Sequence, residues 1–555
     1  MTTPNPALVA QRAVQRLPRL ALLLFCAAYV VPGVFGRDPW KAADIAAFGA
    51  MFNVAEGRTS WLGPEVGGVP VEIAPLPYAI GAVFIRLLQP LLDPALAARI
   101  PFALLLVATL ALLWYASFHL ARTESAQPVP FAFGGEASRV DYARTLGDCA
   151  VLALIATLGL LQLGHETTPE LAQLVGATLF LYGLAAAAAR RTRARVALVA
   201  SLPMLAASGA PAMAVAFGLA GLVASHASGD AARQRQTPWL LASLVLAVAL
   251  ATLLHAWRWR LGSGPTLRET ALLARLLAWF TWPAWPLALW TLWRWRGHLR
   301  RPHIALPLAS ALVGIGACIA MGGSDRALML ALPAVAVLAA FALPTLERSL
   351  AAAIDWFSVC FFSVAAIAIW VIYVAVQTGV PAQPAANVAR LAPGFVARFS
   401  PLALAAALLG TIAWIWLVRW RTGRHRHALW KSLVLPAAGV ALCWLLLMTL
   451  WLPLLDYARS FRPQVQRIAR HVPRDACIAA PGLTRAQLAA LEYLGGYRVD
   501  GRESAADSGC DYLLRNEAVR RPLPVPPGWT LVAREPRPTD REETLAILRR
   551  VSARR

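Results

Sequence analysis

Long runs of apolar residues, separated by short polar stretches, recur along almost the whole chain. A run of about 20 apolar residues can cross the hydrocarbon core of a bilayer as a helix. Strands of a membrane β-barrel would instead alternate apolar and polar residues over about ten positions. The pattern therefore predicts an all-α polytopic membrane protein with about 13 transmembrane helices, at residues 18–35, 97–121, 146–164, 170–188, 195–209, 211–227, 238–256, 274–293, 304–321, 327–344, 355–376, 401–418 and 431–453.

The basic residues between these runs predict the orientation of the chain. Arginines precede the first run and cluster at 190–195, 294–301 and 419–427. Cytoplasmic loops carry such an excess of Lys and Arg. Thirteen spans place these clusters and the N-terminus in the cytoplasm, and the C-terminal tail on the opposite, outer side. A further apolar helix at about 76–90 would reverse this arrangement if it spanned the membrane, so we predict that it does not.

Residues 454–555 predict a small α/β domain that follows the transmembrane domain, residues 1–453. Strands are expected at ACIAA, DYLLR and WTLVAR, and helices at RPQVQRIARHV, TRAQLAALEYL and TDREETLAILRR. Alternating helices and strands favour a small parallel or mixed sheet. Cys477 and Cys510 lie on or beside these strands. An outer compartment allows a disulfide between them, and two unpaired core cysteines are the equally weighted alternative.

Composition supports the membrane class and excludes nucleic acid as a partner. Hydrophobic residues make up 58% of the 555 residues and charged residues only 15%, whereas soluble domains carry about 25% charged residues. The net charge of +23 lies in the short stretches between apolar runs. A nucleic-acid surface would be a basic patch on a folded domain. The seven cysteines and the histidines show no metal-binding spacing.

The first outer loop, residues 36–96, carries the most informative polar pattern. It opens with GRDPWKAADIAAFGAMF, which places four charges within eight residues. The apolar positions that follow share one helical stripe, which predicts a helix in the membrane interface with Asp44 in its first turn, facing water. Lys41 is one of only two lysines in an Arg-rich chain.

Several polar residues are assigned to the same outer face as this loop. They are Asp44, Glu72, His165, Glu166, Glu170 and Arg326. Each alone is equally well explained as an ordinary interface residue. Together they offer carboxylates that can act as a base and a cation that can bind phosphate. Transfer from a phosphorylated lipid requires both kinds of group.

The order of motifs resembles the GT-C glycosyltransferases of the aminoarabinose-transferase and protein O-mannosyltransferase type. An early acidic residue follows the first span in DPWKAAD, and VEIAPLPYAI resembles the family's K-P-P-L-x-Y-W segment. The other matching segments are DPALAARIPFALLLVATLALL, GHETTPELAQLV, WFTWPAWPLALWTLW and SDRALMLALPAVAVLAA.

This resemblance implies a bacterial inner-membrane enzyme that moves a sugar from a polyprenyl-phosphate donor to a periplasmic lipid, glycan or protein. Asp44, or Asp38 in its place, corresponds to the catalytic acid. The residues implied for the donor phosphate are Lys41, Arg99 and Arg326. Those implied for the acceptor or a metal are Glu72, Tyr78, His165, Glu166 and Glu170. No cofactor is certain, although a divalent metal fits these side chains. The alternatives are a lipid-substrate transporter or flippase and a non-catalytic envelope assembly protein.

Overall fold

A computed structural model describes residues 5–227, 229–257, 267–422, 428–518, 522–539 and 543–551. Most of these residues are helical. The helices up to the middle of the chain are α1 Arg19–Val30, α2 Lys41–Ala55, α3 Pro75–Leu88, α4 Pro94–Ala121, α5 Arg139–Ala156, α6 Leu158–Leu163, α7 Pro169–Ala186, α8 Arg191–Ala207, α9 Pro211–Ala227, α10 Ala231–Gln234, α11 Thr237–Leu253 and α12 Leu267–Phe280. The remaining helices are α13 Ala284–Arg294, α14 Pro302–Ala320, α15 Asp325–Met329, α16 Leu332–Ala342, α17 Arg348–Thr378, α18 Ala382–Leu391, α19 Pro401–Thr422, α20 Lys431–Leu447, α21 Leu452–Arg459, α22 Arg462–Ile468 and α23 Arg485–Gly495.

Fewer helices than predicted are long and apolar enough to cross a membrane. Within the described residues five meet both conditions, and up to seven do if two bent pairs each count as one span. The predicted span at 274–293 is one such pair, because α12 and α13 meet at 89° around Pro283. Proline lacks the backbone N–H that would continue a helix. Other predicted spans form apolar helices of 10–17 residues. These apolar helices are consistent with a multi-pass membrane protein, and five to seven of the thirteen predicted spans meet both conditions within the described residues.

The first outer loop folds into two packed helices, α2 and α3, joined by a ribbon of strands β1 Glu65–Val66 and β2 Val69–Pro70. Helix α2 also packs against α23 of the tail. Gly49 allows this approach, because a Cβ atom there would lie 2.5 Å from that of Ala489. The prediction that Asp44 faces water was therefore wrong. Its side chain is fully buried, since the tail and the neighbouring loop cover this end of α2.

The tail contains a mixed sheet, as predicted, but with five strands instead of the three that were expected. Its strands are β3 Cys477–Ala479, β4 Arg498–Asp500, β5 Tyr512–Ala518, β6 Trp529–Pro536 and β7 Glu543–Arg550, in the order β4-β3-β5-β7-β6. Strand β3 is parallel to both of its neighbours, whereas β7 is antiparallel to β5 and β6. Helices α22 and α23 form where the sequence predicted them. Thr484 and Gln487 begin α23 with a reciprocal capping box.

The closing segment TDREETLAILRR was predicted to be helical, which was wrong for its described part. Residues 543–550 form β7, which lies between two other strands. Its run from Leu545 to Leu548 is buried on both faces. A continuous apolar run fits an interior strand as well as a buried helix, so periodicity could not separate them. A disulfide joins Cys477 to Cys510, whose Cα atoms are 4.9 Å apart, and so links the beginnings of β3 and β5.

Candidate active site

A cavity of about 480 Å³ lies between the start of α7, the loop before α3, and helices α9, α14 and α15. Apolar residues of α9 and α14 form most of its wall. The polar side chains that line the cavity are Glu72, Glu170, Gln173, Ser324 and Arg326. We call this space the Arg326 cavity. Its lining combines charged groups with a hydrocarbon-like wall.

Arg326 is held at the cavity wall by three side-chain acceptors. It lies in the first turn of the short helix α15, which Ser324 caps by accepting from the Ala327 amide. Its Nη1 donates to Thr168 Oγ1 and to Glu170 Oε2, each at 3.0 Å. Its Nη2 donates to Glu166 Oε2 at 2.6 Å. Burial by itself lowers the pKa of Arg326, but the two carboxylates outweigh it and raise that pKa, so the guanidinium stays charged.

Glu166 connects the cavity to a second, buried group of polar residues. Its Oε1 accepts from Gln162 Nε2 at 2.8 Å, and its side chain is 2% exposed. Burial raises the pKa of Glu166, the nearby charge of Asp44 raises it further, and Arg326 opposes both effects. Glu166 thus gains a proton more readily than an ordinary glutamate.

The buried group is the Asp44 network, which consists of Asp44, Arg37, Trp40, Thr167 and His165. Oδ1 of Asp44 accepts from the amide and the hydroxyl of Thr167, both at 2.7 Å. Oδ2 accepts from the Trp40 amide at 2.9 Å and from Arg37 Nη1 at 3.1 Å. Burial raises the pKa of Asp44, but the charges of Arg37 and Arg99 and the bonds from Thr167 lower it more. Asp44 is therefore an ionised carboxylate whose two oxygens each accept two protein hydrogen bonds.

Arg37 and His165 complete this network through backbone carbonyls. Arg37 donates to Gly33 O at 2.7 Å and to His165 O at 2.5 Å. The ring nitrogens of His165 lie 2.7 Å from Leu161 O and 2.9 Å from Tyr29 O. Burial lowers the pKa of His165 to about 4, so its neutral ring can donate to only one carbonyl at a time. Both nitrogens face backbone, and neither faces the Arg326 cavity.

Asp38 lies beside this network and binds the base of the tail. Arg462 donates to both of its oxygens, at 2.7 and 2.5 Å, and Ser460 Oγ donates at 2.7 Å. Asp456 accepts from the Asp38 amide and from the Trp40 indole, at 2.8 and 2.7 Å. Burial raises the pKa of Asp38, but the bonds from Arg462 and Ser460 outweigh burial and lower it.

The remaining predicted site residues have different settings. Glu72 is half-buried and lines the cavity, while Tyr78 is buried in α3 within electrostatic reach of Glu72 and Glu170. Arg99 is buried in α4, where its Nη1 donates to Val34 O at 3.3 Å and its Nη2 has no partner among the described residues. The side chain of Lys41 lies outside the described part of the chain.

The structure thus separates the predicted residues into two groups. Glu72, Glu170 and Arg326 converge on the cavity, whereas Asp44, Asp38, Arg99 and His165 do not line it. Sequence reasoning missed the groups that donate to these carboxylates, which are Arg37, Thr167, Ser460 and Arg462, and it missed Asp456, which accepts from the Asp38 amide. The charged residues that follow the last predicted span were a usable signal for Asp456 and Arg462. Thr167 gave no such signal.

The described residues contain no group of three or more His, Cys, Asp and Glu side chains placed to hold a metal ion. Two of the candidate carboxylates, those of Glu166 and Glu170, are both bound to Arg326.

Solved structures identify the fold. The chain resembles ArnT from Cupriavidus metallidurans in the apo state, with a TM-score of 0.60 and 15% identity, over 95% of this chain and 97% of that one. It also resembles the same protein bound to undecaprenyl phosphate, with a TM-score of 0.58 and 14% identity over the same shares. No protein-family model and no curated protein matches the chain. At this identity the likeness concerns the fold, and over nearly its whole length this chain has the GT-C fold of ArnT.

Proposed function

We propose that the protein is a membrane glycosyltransferase that moves a sugar from a polyprenyl-phosphate donor to an acceptor at the outer face. The observation that carries this proposal is the Arg326 cavity, whose lining includes a cation and two carboxylates among mostly apolar residues. A sugar phosphate on a hydrocarbon chain likewise combines a charged group with an apolar chain. The ArnT structure that contains undecaprenyl phosphate supports this choice of donor.

In the proposed reaction the bond between the sugar C1 and the lipid phosphate oxygen breaks, and the acceptor oxygen bonds to C1. The polyprenyl phosphate leaves with its added negative charge, which Arg326 stabilises. Glu72 receives the proton of the acceptor hydroxyl, because its carboxylate lines the cavity. Glu170 holds the guanidinium of Arg326 towards the donor. Asp44 acts by orienting the loops around the cavity, since both of its oxygens are bound by the protein.

The proposal places the chain in a bacterial inner membrane, with the Arg-rich loops in the cytoplasm and the cavity and tail on the periplasmic side. The full count of thirteen spans would require several of the shorter helices to cross the membrane as well. A divalent metal at Glu72 or Glu170 stays a prediction.

Donor consumption tests this function without knowledge of the acceptor. Membranes containing the full chain would be given a polyprenyl-phosphate sugar, and the released polyprenyl phosphate would be measured over time. We expect Arg326→Ala to lower the rate on the order of 100-fold or more, because a preorganised charge at a reacting oxygen is worth about 3–4 kcal/mol. Glu72→Gln should also lower it strongly.

Arg268→Ala is the matched control, because Arg268 is exposed at the start of α12 and does not line the cavity. Normal folding of each variant would be checked by size-exclusion chromatography. If the unmodified protein consumes no donor across a panel of membrane fractions that contain acceptors, the enzyme proposal fails. Movement of intact donor across the bilayer without release of phosphate would instead support a flippase.

A further inference from the structure

A second cavity lies at the opposite, Arg-rich end of the membrane domain. It is an apolar groove of about 430 Å³ between α1, α19 and α20. Four tryptophans, Trp414, Trp416, Trp420 and Trp430, contribute to its wall. The groove follows α19 from Gly410 to Trp420, which is about 15 Å at the helical rise. Half of a hydrocarbon core of about 30 Å has the same depth.

A smaller cavity of about 240 Å³ lies beside this groove. Both cavities are lined by Leu17 and Pro18, so they adjoin where α1 begins. The walls of the smaller cavity carry three guanidinium groups and one carboxylate, those of Arg16, Arg19, Arg144 and Asp148. The net charge of these side chains is therefore positive. The smaller cavity lies where the row of tryptophans along the groove ends.

The guanidinium groups of these arginines are accessible, and carboxylates do not pair with all of them. Arg16 donates to Asp141 at 3.0 and 2.9 Å while its side chain stays 65% exposed. Arg144 lies 3.9 Å from the same carboxylate. The exposed Arg19 stacks over the Trp114 ring at 5.1 Å. Asp148 accepts from the Trp114 indole at 2.7 Å, which fixes its orientation.

We propose that these two cavities form one binding site for an anionic phospholipid of the leaflet on the Arg-rich side. One acyl chain would occupy the groove between α1, α19 and α20. The phosphate would lie among Arg16, Arg19 and Arg144. Charge complementarity favours an anionic phospholipid as the occupant. The groove is as deep as one leaflet and adjoins a positively charged cavity, and basic residues at a membrane surface attract anionic lipid. The site lies apart from the Arg326 cavity and does not depend on the proposed enzymatic function.

Native mass spectrometry of the full chain in detergent tests this site, with added phosphatidylglycerol or phosphatidylcholine as the probe. We expect retention of one phosphatidylglycerol, about tenfold tighter than phosphatidylcholine. Arg19→Gln combined with Arg144→Gln should remove that preference. Ala413→Trp should lower retention of both lipids, because its ring would fill the groove.

Arg193→Gln is the matched control, since Arg193 is exposed in another Arg-rich loop and lines neither cavity. Equal retention of the two lipids would overturn the proposal. It would also be overturned if the double variant kept the preference, or if inorganic phosphate alone displaced the lipid. Size-exclusion profiles and unfolding temperatures would confirm that the variants fold, and a variant that fails to fold would be replaced by the single change Arg19→Gln.

Discussion

The Asp44 network and the Arg326 cavity contain the same kinds of charged group, but the first is buried and the second is open to a cavity. Each pairs an arginine with at least one carboxylate, and they share the segment at residues 165–170. Asp44 is fully buried, and the protein supplies four donors to its oxygens. Arg326 keeps 21% of its side chain exposed and lines a cavity. A saturated, buried carboxylate can position other groups, whereas a charged group on a cavity can bind a ligand.

Removing the central carboxylate of the buried network should have the largest effect on stability. Asp44→Ala would leave Arg37 buried without its ionic partner, which typically costs about 3–5 kcal/mol. We expect a large fall in the unfolding temperature, measured in detergent. Arg268→Ala, the control at an exposed position on α12, should leave that temperature nearly unchanged.

One result would contradict the division between a positioning Asp44 network and a ligand-binding Arg326 cavity. If Asp44→Ala unfolds at the temperature of the unmodified protein yet loses donor consumption, Asp44 acts directly on substrate. The contrast between a positioning network and a binding cavity would then be wrong.

Arg462→Ala tests how far the buried network depends on the tail. The change removes two hydrogen bonds to Asp38, and charge-assisted bonds contribute about 1.5–3 kcal/mol each in favourable settings. Since the Arg462 side chain is 47% exposed, we expect a total loss nearer 1–2 kcal/mol. Limited proteolysis of the tail would measure it. Arg498→Ala, an exposed position on β4, is the control and should not change the cleavage rate.

The pairing of Asp38 also predicts a pH dependence. Its folded-state pKa lies below the unfolded value of about 3.9, so its pairing stabilises the fold above that value. This stabilisation is lost as the pH falls through the lowered folded-state pKa. The difference in unfolding temperature between the unmodified protein and Asp38→Asn should therefore be constant from pH 7 to pH 5 and shrink below about pH 4. A constant difference down to pH 3 would contradict the assigned pairing.

Substitutions of two neighbouring threonines test whether the network and the cavity are separate, and we expect their effects to be the smallest. Thr167 Oγ1 donates to Asp44, whereas Thr168 Oγ1 accepts from Arg326. We expect Thr167→Val to lower the free energy of unfolding by about 1–2 kcal/mol and to leave the KM for the donor unchanged. Thr168→Val should raise that KM severalfold with a smaller change in stability. Equal behaviour of the two variants would mean that the network and the cavity are not separate.

Much of the architecture could be predicted from local pattern. Apolar run length indicated a multi-pass membrane protein, and the motif order indicated the GT-C fold that ArnT shares. Most tail elements formed where their periodicity placed them. The last segment did not, because the pairing of β7 with β5 and β6 outweighed its helix-like start. Within the described residues, fewer helices than predicted meet the length and hydropathy conditions for a span, because proline breaks and short helices interrupt the apolar runs.

The membrane class, the helices of the first loop and the kinds of polar group available could be predicted from local sequence pattern. Which of these groups line the cavity depends on tertiary packing. Asp44 meets Thr167 across 123 residues, and Asp38 meets Arg462 across 424. Burial and hydrogen-bond saturation depend on such distant partners, and no local periodicity encodes them. For this reason Asp44, the residue that the sequence favoured as the base, lies buried beside the cavity that Glu72 and Arg326 line.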